Sequence, residues 1–302
     1  MPVVKATALL TGVTPDPSGP PVVYAWKATL AWSGAGCAFS AGRTFRHPDM
    51  TAQGPGNTFV LPFSKLCGGD LTVTVTVHSG ATTISATAGN LKVTATNPSI
   101  EALAAAAPAI TAFRKLMRLE SSLRQFRGPS CPLFSADGLG GAGLCQLTRP
   151  LPSDDQVWSW KANLAAGFDL YKSKQELAAS HPASVRSSAE FQAQVRAYNA
   201  GRPTGSAGPL AIELPDYTDE QLQRDTLRGF NGYAGGLHEY RVKLDQNGQL
   251  VVTIDPSGKK GSAEWEQISA AERIAYYDSI NIPENKRGDP NYVTAVEAEA
   301  AF

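Results

Sequence analysis

Glu120 is the residue of this sequence best suited to proton chemistry. Ile110, Phe113, Leu116, Met117 and Glu120 recur three and four apart, which places them on one face of a helix. A carboxyl closing an apolar stripe is partly desolvated, and desolvation raises its pKa toward neutrality. A general acid that protonates the leaving oxygen of a glycosidic bond needs that property. Downstream, Gly138, Gly140, Gly141 and Gly143 let the backbone approach a ligand closely. Gln146 offers a donor and an acceptor to a sugar or acetamido group. The plainer reading makes Glu120 a helix-end side chain reaching solvent, Gln146 a cap, and the glycines a tight turn.

The bulk composition narrows the class. Lysine and arginine number 27 against 27 aspartates and glutamates, so the concentrated positive surface expected of a nucleic-acid binder is not indicated. No run reaches the 18 or so apolar residues that span a bilayer. The four histidines, at 47, 78, 181 and 238, are scattered, and Cys37, Cys67, Cys131 and Cys145 form no CxxC pair, which argues against zinc. Two cysteines fall on each side of residue 98. They permit local disulfides Cys37–Cys67 and Cys131–Cys145 in an oxidising compartment, or four buried thiols. The start of the chain is too weak a pattern for a secretory signal. That leaves a protein that stays inside, one exported by a route reading no such signal, or a fragment.

The elements that must position these residues change character at Thr96-Asn97-Pro98. Before it, Leu71, Val73, Val75 and Val77 alternate with threonines, and Tyr24, Trp26, Ala28, Leu30 and Trp32 alternate likewise. This is the period of half-buried strands. Thr82 to Ala86 and Leu91 to Ala95 read as further strands separated by a Gly89-Asn90 turn. After the break, Asn97 or Ser99 caps a helix over Ala102–Ala107, and another opens after Pro108. Helix is expected from Asp154/Asp155 through Leu170, over Ser188–Ala200, and from Thr218, which forms a capping box with Gln221, to Phe230. Gly201 to Tyr217 reads as loop. Tyr240, Val242 and Leu244 alternate, Asn247-Gly248 turns, and Leu250, Val252 and Ile254 return, a hairpin signal. The expected fold class is therefore α+β. A small all-β sandwich-like domain over 1–96 precedes a mainly helical domain over 98–302 with a β-hairpin excursion.

Glu120-Ser121, then Ser135, then Gly141-Ala142-Gly143-Leu144-Cys145-Gln146 resemble the first two motifs of lytic transglycosylases, lysozyme-like enzymes of the glycoside hydrolase family 23 type. In that family a Glu-Ser pair is followed by a serine, glycines and Gly-Leu-Met-Gln. Cys145 stands here in place of the methionine, one soft apolar residue for another. The third motif is an aromatic-Asn pair at a helix end, and two places match it. Tyr198-Asn199-Ala200-Gly201 matches the letters. Phe230-Asn231-Gly232 leads into Tyr233 and Tyr240 and lies nearer the Tyr292-Val293 element, although Phe230 lacks the tyrosine hydroxyl. The polar and aromatic surroundings favour Asn231, which makes the other pair a helix terminus. Asn163 and Gly167 match a further Asn-x-x-x-Gly spacing.

The resemblance covers roughly residues 108 to 300 and leaves the β region unexplained. It implies cleavage of the β-1,4 bond between N-acetylmuramic acid and N-acetylglucosamine. Glu120 acts as acid and then as base, a 1,6-anhydro product forms, and no cofactor or metal is used. Implied substrate-binding residues are Ser121, Ser135, Gly143, Gln146, Asn231, Tyr233, Tyr240, Tyr198 and Asn199. Trp158 and Trp160 are further aromatics that can stack on sugar rings. A substrate outside the cytoplasm implies action in the periplasm or on the cell wall, export through a secretion or phage-like delivery component, and an immunity protein as partner if the chain is an antibacterial toxin. Asp137, Asp154 and Asp155 leave a hydrolytic muramidase open as an alternative, and loss of turnover leaves a glycan-binding module.

Overall fold

The computed structural model describes residues 5–11, 18–31, 50–54, 56–61, 69–128, 131–136, 139–203 and 208–302. Among the described residues it is an α+β chain with eight α-helices and several small, mostly antiparallel sheets. Two compact units are present. One comprises 1–107 and 120–167, the other 108–119 and 168–302. The units are thus drawn differently from the composition break at Thr96–Ser99.

In the first unit, strands β1 (Lys5–Thr7), β2 (Val23–Ala31), β3 (Met50–Gly54), β4 (Thr58–Val60), β5 (Gly69–Ser79) and β6 (Thr82–Val93) form two sheets. One is four-stranded in the order β3-β2-β5-β6, and the other pairs β1 with β4. Alternation in β5 buries Leu71, Val73, Val75 and Val77, and its threonines face the other way. There Thr74 meets Thr87 at 3.1 Å and Thr76 meets Ser85 at 3.0 Å, a cross-strand hydroxyl ladder. Trp26 stacks on Phe59 with centroids 5.6 Å apart. Phe126, Ala142, Val157 and Trp158 join the same buried cluster as the strand residues. A cavity of about 500 Å³ lies between Lys5–Leu10 and the inward side chains of β5 and β6.

Gly89-Asn90 does not end a strand. β6 runs through it, with Leu71 opposite Leu91 but Val73 opposite Ala88. The extra residue forms a bulge, and Asn90 takes the left-handed conformation at φ 59°, which asparagine tolerates better than most residues.

Helix α1 (Ile100–Ala106) is capped by Ser99, whose Oγ accepts from the Ala102 amide. Helix α2 (Thr111–Ser121) follows, then the short strands β7 (Phe126–Gly128) and β8 (Cys131–Pro132), helix α3 (Asp154–Trp158) and the long α4 (Trp160–Ser187). The helix expected from Asp154 through Leu170 is interrupted at Ser159, which is extended at φ −119°, ψ 112°.

In the second unit, the Phe113 ring from α2 packs at 5.4 Å against both Phe168 and Tyr171 of α4. Helix α5 (Ala189–Ala200) starts on the Ser188 cap. The segment read as loop contains β9 (Ala211–Glu213). Helix α6 (Asp219–Asn231) opens with the expected Thr218–Gln221 capping box. Strands β10 (Tyr240–Val242), β11 (Val252–Ile254), β12 (Lys260–Ala263) and β13 (Trp265–Gln267) lead to α7 (Ala270–Ser279) and α8 (Tyr292–Ala298).

The Asn247-Gly248 turn forms, with Leu244 bridged to Leu250. The strands on either side, however, pair elsewhere: β10 with β13 and β11 with β12. Asp255 explains the difference. Its Oδ1 accepts from the amides of Lys259 and Lys260, so a second tight turn folds β11 back onto β12.

Candidate active site

Helix α2 delivers Glu120 to its last turn. Ala112, Phe113, Leu116 and Met117 are buried, and Glu120, next on that face, is half-buried. Ser121 is buried, and the helix stops because Ser122 and Leu123 are both left-handed, at φ 51° and 62°. The Asn97 carboxamide then fixes the chain's new direction. Its Oδ1 accepts from the amides of Gln125 (2.8 Å) and Phe126 (2.7 Å), and its Nδ2 donates to the Phe126 carbonyl.

Two fully buried amides, Gln125 and Asn163, hold the glycine-rich turn. Gln125 Oε1 accepts from the Leu144 amide, while its Nε2 donates to the Gln156 and Val157 carbonyls. Asn163 Oδ1 accepts from the Cys145 amide at 2.9 Å, and its Nδ2 donates to the carbonyls of Ala142 and Gln156. Each carboxamide therefore spends its donors and acceptor on backbone, which is how buried polar groups avoid a desolvation cost. Ser135 Oγ accepts from the Gly141 amide. Gln146, left-handed at φ 45°, donates from Nε2 to the Gly143 carbonyl at 2.8 Å. It closes the turn as a cap would, and its Oε1 has no partner among the described residues.

Gly143 is required twice over. Its φ is +75°, and a methyl group there would meet the Gln125 carboxamide and approach Asn163 Nδ2 to 2.5 Å. Gly143→Ala should therefore destabilise the protein by about 1–3 kcal/mol or more, because both amides would lose backbone partners. Urea unfolding measures this, and a change under about 0.5 kcal/mol would be the range of a neutral surface substitution.

The turn and the helix end sense one another. Burial pushes the Cys145 thiol far above its usual range, and the Glu120 charge raises it further. Cys145 is a free, buried thiol, whereas Cys131 is disulfide-bonded. The expected Cys131–Cys145 bridge is thus not formed; Cys145 points into the core. Cys37 and Cys67 lie outside the described residues, and with them the expected Cys37–Cys67 bridge. Cys145 should resist alkylation in the native protein and label fully once unfolded, because the thiolate is the reactive form. Peptide mass mapping with and without denaturant checks this.

Of the other carboxylates, Asp154 and Asp155 lie in the first turn of α3, where negative charge suits the helix dipole. Asp137 lies outside the described residues. Trp158 is core rather than groove, 3% exposed and packed near Phe126. Trp160 is half-buried beneath the Lys161 ammonium.

The remaining candidates belong to the second unit. Asn199 spends both ends of its carboxamide on the Leu210 backbone, and Tyr198 packs against the core of this unit. Asn231 is the last residue of α6, and its buried Oδ1 has no partner among the described residues. Tyr233 donates its hydroxyl to the Asp225 carbonyl at 2.9 Å. Tyr240 is buried, with its ring 5.5 Å from that of Tyr217. Tyr292 and Val293 are buried in α8. The Asp289 and Pro290 carbonyls just before them accept from the Arg228 guanidinium.

Two features here have no local sequence signal. Glu239, 2% exposed, accepts on Oε2 from Arg228 Nε (3.0 Å) and Arg273 Nη2 (3.2 Å), and on Oε1 from Gln267. His181 and His238, far apart in the chain, stack with centroids 3.5 Å apart and planes 12° from parallel. Burial, then the neighbouring His238, lowers the His181 pKa to about 4, with Asp225 opposing. The folded protein therefore binds fewer protons at His181 than the unfolded chain between pH 4 and 6.5. The stability that neutral His181 contributes is full above about pH 6.5 and is lost as the pH falls toward 4. Urea unfolding at pH 7 and 4.5 should show this fall, and His181→Phe should reduce it. An equal fall in the variant would assign it to other groups.

No protein-family model, curated protein or solved structure matches this chain.

Proposed function

We propose that the chain is a peptidoglycan-cleaving enzyme of the lytic transglycosylase type, with Glu120 as its acid and base. The observation that carries this reading is the placement of Glu120 at the end of an apolar helix face, close enough to the Gly143–Gln146 turn for its charge to act on Cys145. A half-buried carboxyl suits protonation of a leaving glycosidic oxygen. In the turn beside it Gly141 and Gly143 are buried rather than open to a ligand, so the group this turn offers is the half-buried Gln146, whose Oε1 can accept from a sugar hydroxyl or an acetamido N–H. In this reading Ser121 and Ser135 brace the turn and the helix end. Asn231, with its unpartnered oxygen, is the third-motif residue, and Asn199 is a helix terminus.

The finer fold reading goes with it: a sandwich-like β domain and a lysozyme-like helical domain with a β excursion. Action on the cell wall, export by a delivery apparatus and neutralisation by an immunity protein are the corresponding proposals for location and partners. Among the described residues no helix is long and apolar enough to cross a membrane. The test is zymography in a gel impregnated with cell wall. Wild type should leave a clearing band and folded Glu120→Gln should leave none. Bands from both proteins would remove Glu120 from the chemistry.

A further inference from the structure

His238 is constrained on three sides. Asp225, fully buried, meets its Nδ1 at 2.8 Å. Tyr233 and His181 both stack on its ring, at 4.1 and 3.5 Å, and two rings cannot share one face, so both faces are covered. Asp225 is itself fixed, since its Oδ1 accepts from the Glu239 amide at 2.7 Å and its carbonyl from the Tyr233 hydroxyl. An ionised carboxylate only accepts, so Nδ1 donates to Asp225, and in the neutral tautomer of the ring this leaves Nε2 as the acceptor.

Nε2 has no partner among the described residues, yet the side chain keeps 18% exposure. With both faces and the Nδ1 edge occupied, the open edge is the one bearing Nε2. The aromatic cluster continues through His181, whose ring lies 6.1 Å from Tyr217 and 5.9 Å from Trp265. The buried Tyr217 hydroxyl has no hydrogen-bond partner among the described residues. An oriented acceptor at the open edge of an aromatic cluster is what a small site for a polar, ring-shaped molecule contains.

We propose that this edge is a ligand site in which His238 Nε2 accepts a hydrogen bond from a saccharide hydroxyl, with Asp225 as the residue that positions the imidazole. The choice of a saccharide rests on the glycan-cleaving reading; the dyad itself does not.

The probe is chitotriose, titrated at pH 8 into full-length, ¹⁵N-labelled protein and followed by long-range histidine NMR. His238 should show a protonated Nδ1 and an unprotonated Nε2, and the trimer should shift Nε2 saturably. His238→Phe keeps a ring in the stack but removes the acceptor. It should weaken binding by about tenfold or more, the loss of one well-placed hydrogen bond. An unmoved Nε2 resonance, or equal affinity in a folded His238→Phe, would overturn the site. Zymography separates the two ideas. If wild type clears cell wall through Glu120 while His238 ignores the trimer, the enzyme reading stands and the site fails. If nothing is cleared yet Nε2 responds, the site stands alone.

Discussion

Glu120→Gln should lower peptidoglycan cleavage by about 10² to 10⁴-fold, the range for losing a general acid–base, while leaving the fold intact. Glutamine keeps the shape and hydrogen-bonding reach of the side chain and removes only the transferable proton. The helix face beneath it is held by apolar packing, since Phe113, Leu116 and Met117 are fully buried. The melting temperature should therefore change little and the rate should change greatly. Turnover of purified sacculi, normalised to folded protein, gives the ratio. A loss of less than about threefold would be smaller than general catalysis allows.

Glu239→Leu should be the most destabilising single change in the second unit. It would leave Arg228, 1% exposed, and Arg273, fully buried, without their shared carboxylate. Removing one partner from a buried charge network costs roughly 3–5 kcal/mol, because the remaining charge stays desolvated. Glu239→Gln should cost less, since its oxygen still accepts from a guanidinium. Urea unfolding of both variants checks the order. Equal stabilities for Leu and wild type would mean that the arginines find other acceptors.

Local chemistry was legible in the sequence. Ser99 and Thr218 are helix caps because a hydroxyl serves amides only two or three residues away. The β5 alternation was readable for a similar reason, since one strand's period needs no knowledge of its partner. Pairing was not legible. The Tyr240–Val242 strand faces Trp265–Gln267 rather than its neighbour in sequence, and that choice depends on a turn at Asp255 further on.

The candidate site divides in the same way. Glu120 and the glycine turn were visible as residue types at a spacing. The amides that hold the turn, Gln125 and Asn163, make their bonds to backbone 18 to 32 residues away, or, for one Asn163 bond, 7 residues away at Gln156 of α3. Only Asn163 carried any sequence signal, through its spacing to Gly167. The Asp225–His238 pair and the Glu239 network are closed by folding alone, with partners drawn from α4, α6 and α7.

In the proposed reaction one carboxyl, Glu120, carries both proton transfers. With the C6 hydroxyl of the muramic sugar already tethered to the reacting carbon, no bound water has to be positioned, and the product closes on itself. Mass spectrometry of muropeptides released by the purified protein tests this most directly. Anhydro products, lighter by one water than the reducing ones, are expected from the wild type, and none from Glu120→Gln. Exclusively reducing products from the wild-type protein would contradict that reaction and direct the search for a water-activating base to Asp137, Asp154 and Asp155.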